Sequence, residues 1–268
     1  MIFSKHIRTI FKTSFVNNFK SFLNLSIDDP DFELSRISKL TRFEAGETNL
    51  IHRNFRFVDS ESFIYQYSEI FKENLLFFDS KQNNPLIIDC GSNVGVSICY
   101  FKMIYPNSKI IAFEPDSQIF SILRHNTKLI SSLELHNTAV WTQNTKLSFQ
   151  PNGADGGKIE NNGELSVNAV KLSDFLKVKV NLLKIDIEGA EKFVLPSIAE
   201  YLINVENLFL ELHLEEKEPE LLEQTCFLLR KHGFRFKIDT VGLVNFNSFK
   251  DRTSCSMQLN IFAVNENS

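Results

Sequence analysis

The sequence predicts an α/β domain built on a mainly parallel sheet, and two stretches lead to this prediction. The first, residues 86–103, reads LIIDCGSNVGVSICYFKM: an apolar run that reaches Asp89, a compact glycine turn, and apolar residues at helical spacing. This is the pattern of a buried strand, a tight turn and a helix packed back on the sheet. The second, residues 109–114, is an apolar run that ends in Glu114. Open α/β sheets bind ligands at the carboxyl ends of such strands, so both turns also predict where a site lies.

The spacing of the glycines and acids indicates the kind of ligand. Gly91 allows a sharp turn, and Gly95 allows the helix to approach the strand closely. Glu114 lies 23 positions after Gly91, a distance that places a carboxylate on a ribose diol in a βαβ unit. Asn93 stands where a dinucleotide fingerprint has glycine, which argues against contact with a pyrophosphate. The sequence therefore predicts a nucleoside site without a diphosphate, which suits S-adenosylmethionine. The alternative is an ordinary strand-to-helix connection followed by a surface acid.

Composition bounds the class of protein. The 268 residues, 43% hydrophobic and 23% charged, are enough for one large α/β domain with an appendage. The net charge of -4 argues against a broad nucleic-acid surface, so we expect no nucleic-acid partner. The four cysteines are scattered without metal-ligand spacing, as in a reducing compartment. The sequence has no run of about 18 apolar residues and no signal-peptide pattern, so we expect a cytoplasmic protein.

Residues 1–27 contain four basic side chains, no acid and an apolar stripe. This pattern fits a basic amphipathic helix that makes a peripheral membrane contact, or an organellar transit peptide. We favour a helix that packs on its own domain or on a second subunit of a homodimer, because most apolar stripes are packing faces. We therefore divide the chain into a mainly helical N-terminal extension, residues 1–59, and an α/β domain, residues 60–268.

The elements of the first half follow from periodicity and turn residues. They are a helix at 31–45, a short strand covering an edge at 50–59, a helix from Ser60 or Ser62 to 77, a helix from 115–116 through 129 and a third strand at 133–141. The helix that ends at 77 carries Tyr65, Gln66 and Glu69 and can wall one side of the site. Together with the strands of the two motifs, these elements give a βαβαβ order.

The second half departs from that alternation. Its elements are antiparallel strands at 146–149 and 166–170, a short helix at 172–176, a central strand at 178–187, a helix limited by Pro196, a strand at 208–213, a helix at 219–232 ended by Gly233, and a terminal antiparallel hairpin of 234–238 and 258–264. The glycine-rich loop 153–158 lies between the first two strands. Such a loop beside a site can form a lid or an acceptor pocket; the alternative is a solvated hairpin tip.

The ends of two central strands carry candidates for chemistry. Lys184 and Asp186 point to the same side of the central strand. A lysine there is costly unless it is paired, so we expect an ion pair that orients the acids. Glu211 and His213 share one side of the next strand. Because parallel strands end at one edge of a sheet, Asp186 should converge with Glu211 and His213.

The chain resembles the FkbM family of S-adenosylmethionine-dependent methyltransferases. The resemblance lies in residues 88–95 (IDCGSNVG), residues 112–116 (AFEPD) and, most specifically, residues 183–191 (LKIDIEGAE). It covers about residues 60–264. Ser92 stands where the family often has alanine, and Leu212 replaces the aromatic residue of a Glu-aromatic-His triplet.

The resemblance implies a class I methyltransferase fold: a Rossmann-type, seven-stranded sheet with helices on both faces and an antiparallel last strand. It implies S-adenosylmethionine as cofactor and methylation of a hydroxyl on a sugar, a polysaccharide or a secondary metabolite. Family members with a loop like Gly-Ala-Asp-Gly-Gly resemble those linked to surface polysaccharides and lipopolysaccharide. The expected partner is therefore a small-molecule or glycan acceptor.

The motifs and the resemblance together give a predicted site. The predicted cofactor-binding residues are Asp89, Gly91, Ser92, Asn93, Gly95, Glu114, Pro115, Ala139 and Asp186. The predicted catalytic residues are Asp186, His213, Glu211 and Asp155, with Glu188 as a further candidate. Asp186 should lie beside the methyl group, His213 would be a base suited to neutral pH, and Asp155 could close over a hydroxyl. Clustered acids could hold a divalent metal, but their spacing demands none and we expect none.

Two other functions use the same features. A nicotinamide-dependent oxidoreductase would have the same fold, although Asn93 argues against it. A non-catalytic protein could bind the cofactor and dimerise through its first 50 residues.

Overall fold

The structure, a computed structural model, describes residues 29–267 apart from 216–217, 219 and 242–256. Its first segment contains the helix α1 (Pro30–Ile37) and the strands β1 (Gly46–Thr48) and β2 (Phe55–Phe57), which pair antiparallel as a separate two-stranded sheet. The helix predicted to reach residue 45 is therefore too long. Asp59 accepts hydrogen bonds from the backbone N–H of Phe43 and from Arg42, at 2.7 and 2.9 Å, and holds that segment as a turn. The strand predicted to cover an edge is instead part of this small hairpin, and the proposed helix over residues 1–27 lies outside the described residues.

Residues 29–59 share a hydrophobic core with the rest of the chain. Ile37, Ile51 and Phe55 are fully buried, in one cluster with Ile98 and Tyr100 of the α/β domain. This part of the predicted extension contains one helix and one hairpin, so it is not mainly helical. The boundary at residue 59 stays a prediction.

The helix before the first strand of the large sheet begins at Ser60, the earlier of the two predicted positions. It is α2 (Ser60–Tyr67), continued by a π-helical turn, Ser68–Lys72. Asp59 is the N-cap, because its carboxylate accepts a hydrogen bond from the backbone N–H of Ser62 at 3.0 Å. The helix ends at residue 72 rather than 77.

The remaining elements form two sheets with flanking helices. The strands are β3 (Leu86–Cys90), β4 (Lys109–Phe113), β5 (Leu133–His136), β6 (Ala139–Trp141), β7 (Thr145–Gln150), β8 (Lys158–Ile159), β9 (Leu165–Lys171), β10 (Val180–Ile185), β11 (Val205–Leu214), β12 (Phe234–Thr240) and β13 (Met257–Asn265). The helices are α3 (Val96–Ile104), α4 (Ser117–Asn126), α5 (Glu191–Ser197) and α6 (Leu221–Lys231), with 3₁₀ turns at Leu172–Phe175 and Ala199–Asn204.

The large sheet has seven strands in the order β12-β13-β11-β10-β3-β4-β5. Strands β5, β4, β3, β10 and β11 are parallel, and β13 runs antiparallel between β11 and β12. This confirms the predicted seven-stranded sheet, the antiparallel last strand and the terminal hairpin. All six residues of β10 are buried, as expected of a central strand.

Helices cover both faces of this sheet, because consecutive strand residues point to opposite sides. Ile87 packs with Ile98 of α3 and Leu123 of α4 on one face. Ile88 packs with Val194 of α5 on the other. No helix in the described part of the chain is both long and apolar enough to cross a bilayer.

The predicted third strand at 133–141 divides into two strands that belong to different sheets. The side-chain amide of Asn137 donates to the carbonyl oxygens of Glu114 and Pro115, at 2.9 and 3.1 Å, and turns the chain between β5 and β6. Strand β6 then joins a four-stranded sheet of order β6-β9-β7-β8. The antiparallel pairing of β7 with β9 confirms the two predicted antiparallel strands, and the loop between β7 and β8 reaches the carboxyl edge of the large sheet.

Candidate active site

A cavity of about 340 Å³ lies at the carboxyl edge of the parallel strands. The turn after β3, the turn after β4 and the segment after β10 form its floor. The α2 helix with its π-helical turn and the loop 155–157 close its sides. The predicted helical wall is confirmed, since Tyr65, Gln66 and Glu69 border the cavity.

The glycine turn is locked against the end of the central strand. Gly91 has a φ of +89°, and a Cβ there would collide with the carbonyl oxygen of Asp186. The backbone N–H groups of Gly91 and Ser92 both donate to the carbonyl of Phe113, at 3.2 and 3.0 Å. Only glycine satisfies both the backbone conformation and the space. Gly95, with a φ of +94°, instead allows close packing against Leu123 of α4.

Glu114 joins the glycine turn to the start of α4. Its two carboxylate oxygens accept hydrogen bonds from the backbone N–H groups of Asn93 and Asp116, at 3.1 and 2.8 Å. Burial raises the pKa of Glu114 to about 8. Each oxygen keeps a second lone pair, and the side chain borders the cavity together with Pro115 and Ala139.

Two of the predicted cofactor-binding residues, Asp89 and Gly95, are not among the residues that border the cavity. Asp89 is fully buried, and its carboxylate accepts a 2.6 Å hydrogen bond from the hydroxyl of Ser97. Its other oxygen lies 3.3 Å from the Lys184 Nζ. Asp89 therefore acts on the cavity wall through Ser97 and Lys184, which both border it.

Lys184 forms the buried ion pair that its position in the central strand predicts. Its Nζ donates to the carbonyl of Gly91 at 2.9 Å and to Asp186 at 3.1 Å. Burial would lower the pKa of Lys184, but the carboxylates of Asp186 and Asp89 raise it. The lysine stays charged and connects β3, the glycine turn and the end of β10.

The structure brings Asp186, Glu211 and His213 together, with one ligand atom of each within 4.8 Å of the others. His213 also faces two further acids. Its Nε2 lies 3.3 Å from Glu188, and its Nδ1 lies 3.3 Å from Glu191. Oxygen and imidazole donors in this arrangement could hold a divalent cation.

The charges around His213 argue against its predicted role as a base at neutral pH. Burial alone would lower the pKa of His213, but Glu191 and Glu188 outweigh it and raise the pKa to about 10. The ring is then protonated near neutral pH, and it does not itself border the cavity. Burial and the charge of Asp186 raise the pKa values of Glu188 and Glu211 to about 8. These two carboxyls border the cavity and are better placed to take a proton.

Glu191 supports the candidate site, and the sequence reasoning did not single it out. Its two oxygens accept hydrogen bonds from the backbone N–H groups of Ile187 and Gly189, both at 2.8 Å. It thereby fixes the turn that carries Glu188, whose φ of +57° is uncommon for a residue other than glycine. The signal was the glutamate two positions after Gly189, since a glutamate in the first turn of a helix can bond back to preceding N–H groups.

Asp155 lies over the cavity at the tip of the glycine-rich loop. Its carboxylate accepts hydrogen bonds from the Ser62 hydroxyl at 2.9 Å and from the Gln66 amide at 3.4 Å. The loop is therefore attached to α2, and Asp155 borders the cavity with Gly156 and Gly157. On the same side, the Tyr65 hydroxyl donates to Glu69 at 2.6 Å.

These features define a class of protein. A seven-stranded sheet with one antiparallel strand beside its edge, a glycine turn after β3 and an acid after β4 is the class I methyltransferase fold. The sequence profile of the methyltransferase FkbM domain matches residues 89–236, more than half of the chain. The chain belongs to this family and is a methyltransferase, so the oxidoreductase and the non-catalytic binder are set aside.

Three relatives illustrate the match. The chain is 29% identical to Methyltransferase 1 of Beauveria bassiana over 54% of this chain and 72% of the relative. It is 24% identical to the 2-O-methyltransferase NoeI of Sinorhizobium fredii over 48% of this chain and 63% of that protein. It is 23% identical to the hexuronic acid methyltransferase AglP of Haloferax volcanii over 52% of this chain and 60% of that protein.

Proposed function

We propose that the chain is an S-adenosylmethionine-dependent O-methyltransferase that acts on a hydroxyl of a sugar, a polysaccharide or a secondary metabolite. One observation carries the proposal: a single cavity joins the glycine turn and Glu114 to the carboxylates of Asp186, Glu188 and Glu211. The names of two relatives, a 2-O-methyltransferase and a hexuronic acid methyltransferase, support hydroxyl chemistry and a sugar acceptor. We propose the same class of acceptor, a sugar, for this chain, but not the carboxyl group of a hexuronic acid.

The residues present fit the cofactor. The glycine turn reaches the cavity, since Gly91, Ser92 and Asn93 all border it. The free lone pairs of Glu114 suit the two hydroxyls of a ribose. The carboxylates around Asp186 suit a cationic sulfonium and an ammonium group.

When bound, S-adenosylmethionine supplies an electrophilic methyl group on a sulfonium. The acceptor hydroxyl would take this methyl group and give up its proton, and S-adenosylhomocysteine would be the second product. We assign the released hydroxyl proton to Glu211, since a base with a pKa near the working pH is the most effective. Asp186, fixed by Lys184, and Asp155, fixed by α2, would orient the acceptor. Alignment and exclusion of water supply most of the acceleration in such a displacement.

Calorimetry and label transfer test this function. S-adenosylmethionine and S-adenosylhomocysteine should bind, whereas NAD should not. Incubation with methyl-labelled cofactor and a panel of glycans should place the label on a hydroxyl oxygen, identified by mass spectrometry. Binding of NAD alone, or transfer of the label to nitrogen only, would contradict the proposal.

A further inference from the structure

We propose that the acceptor is a neutral or ammonium-bearing polyol, such as an amino sugar, and that acceptors with an anionic group beside the reacting hydroxyl are excluded. This inference rests on the proposed function and adds the substrate class. It follows from the charge of one half of the cavity, which we call the carboxylate end and define by Glu69, Asp155, Asp186, Glu188 and Glu211. All five border the cavity.

Among the described residues, the carboxylate end offers no free cation to an anionic acceptor. Among the described residues that border the cavity, Lys184 is the one cationic side chain. Its Nζ is already bonded to the carbonyl of Gly91 and to Asp186, and it lies 3.3 Å from Asp89. His213 faces Glu188 and Glu191 and does not border the cavity. An incoming carboxylate or phosphate would therefore meet acids without a compensating positive charge.

The five carboxylates come from four separate segments of the chain. They therefore line the cavity from several elements rather than from one. Glu69 lies in the π-helical turn, Asp155 in the loop after β7, Asp186 and Glu188 after β10, and Glu211 within β11. All five border the cavity, so an acceptor that enters this end lies near several of them.

The hydrogen-bonding capacity of the carboxylate end indicates the same class of acceptor. Above pH 8, where Glu188 and Glu211 are ionised, carboxylates only accept hydrogen bonds, so the acceptor must bring donors, and hydroxyl and ammonium groups do so. Asp155 is held by Ser62 and Gln66, and Glu69 is held by Tyr65. Their remaining lone pairs are thus fixed in position, which suits a rigid ring with several hydroxyls.

The experiment compares three methyl glycosides that share one ring: a glucoside, a glucosaminide and a glucuronide. Ligand-observed NMR at pH 9, above the raised pKa values of Glu188 and Glu211, measures their binding to the protein saturated with S-adenosylhomocysteine, so the result does not depend on turnover. We expect the glucosaminide and the glucoside to bind, and the glucuronide to bind at least tenfold more weakly, because like charges placed together oppose binding. Equal binding of the three, a preference for the glucuronide, or binding of none would overturn the proposal.

Three variants locate the effect. Glu188→Gln and Asp155→Asn each remove one negative charge from the carboxylate end and should reduce the discrimination against the glucuronide severalfold. Glu200→Gln is the matched control: it makes the same change at an exposed residue of the 3₁₀ turn Ala199–Asn204 and should leave the discrimination unchanged. Discrimination that persists in both cavity variants would overturn the assignment.

Two further measurements separate the possible failures. Calorimetry with S-adenosylhomocysteine alone tests the cofactor site, so failure of the proposed function is seen before any glycoside is added. The NMR comparison is repeated with EDTA and with Mg²⁺. If Mg²⁺ makes the glucuronide the preferred ligand, a cation bound by Asp186, Glu211 and His213 reverses the charge of this end, and the proposal is wrong.

Discussion

The two ends of the cavity are built in different ways. At the glycine-turn end, backbone groups and one acid, Glu114, form the wall, and the acid is held by two backbone N–H groups. At the carboxylate end, side chains from distant segments meet and carry more negative than positive charge. The first end is a product of local sequence and suits a cofactor shared by many enzymes. The second is a product of the topology and suits an acceptor particular to this chain.

Among changes at the glycine-turn end, Gly91→Ala should have the largest effect on cofactor binding and on stability. The left-handed backbone and the collision with the Asp186 carbonyl should abolish measurable cofactor binding and cost about 2–4 kcal/mol of unfolding free energy. Calorimetry and urea unfolding measure the two effects. Gly189→Ala is the matched control, because Gly189 has a φ of +92° but no atom within 4 Å of the position that a Cβ would take. It should cost only about 1 kcal/mol, and an equal cost for both variants would show that the collision is unimportant.

A change at the carboxylate end should slow the chemical step rather than weaken cofactor binding. Glu211→Gln should lower kcat by about 10²–10⁴-fold, the usual contribution of a general base, while S-adenosylmethionine affinity changes little. Single-turnover kinetics with a competent acceptor and calorimetry measure these quantities. A loss of cofactor affinity with kcat preserved would move Glu211 to the other end of the cavity.

His213→Ala separates the role of His213 from that of Glu211 at the carboxylate end. The imidazolium lowers the pKa values of Glu211 and Glu188, so its loss should raise both. Since the ionised carboxylate is the active base, the acid limb of the kcat–pH profile should move to higher pH, with a smaller loss of kcat above that limb than in Glu211→Gln. A limb that disappears altogether would restore His213 as the base.

Glu114→Ala tests the glycine-turn end without changing the carboxylate end. At pH 9, above the raised pKa of Glu114, loss of one or two charge-assisted hydrogen bonds should weaken S-adenosylmethionine binding by about 10- to 100-fold. Glu114→Gln keeps the shape of the side chain and should lose less. Calorimetry that finds unchanged affinity in Glu114→Ala would remove Glu114 from the site.

The same contrast explains what the sequence could predict. The turn at Gly91 and the acid at Glu114 lie within one βαβ unit, so spacing alone places them. The convergence of Asp186 with Glu211 followed from the parallel strands. The charge state of His213 did not, because it depends on Glu191, 22 positions away and on another element. The end of α1 and the division of the predicted strand at 133–141 were also missed, because Asp59 and Asn137 act through side chains that reach other segments.

The smallest expected effect concerns stability and pH in the absence of cofactor. The pKa values of Glu114, Glu188 and Glu211 are raised from 4.5 to about 8, so between these values the folded chain holds protons that the unfolded chain has released. His213, raised from 6.5 to about 10, does the same at higher pH. Unfolding free energy should therefore fall as pH rises from about 5 to 9. We expect Tm to drop by several degrees across this range, at about 2–4 °C per kcal/mol. Glu188→Gln cannot ionise and should flatten the slope, whereas Glu200→Gln should not. Differential scanning calorimetry measures each slope, and a Tm that rises with pH would show that the acids are already ionised in the folded chain.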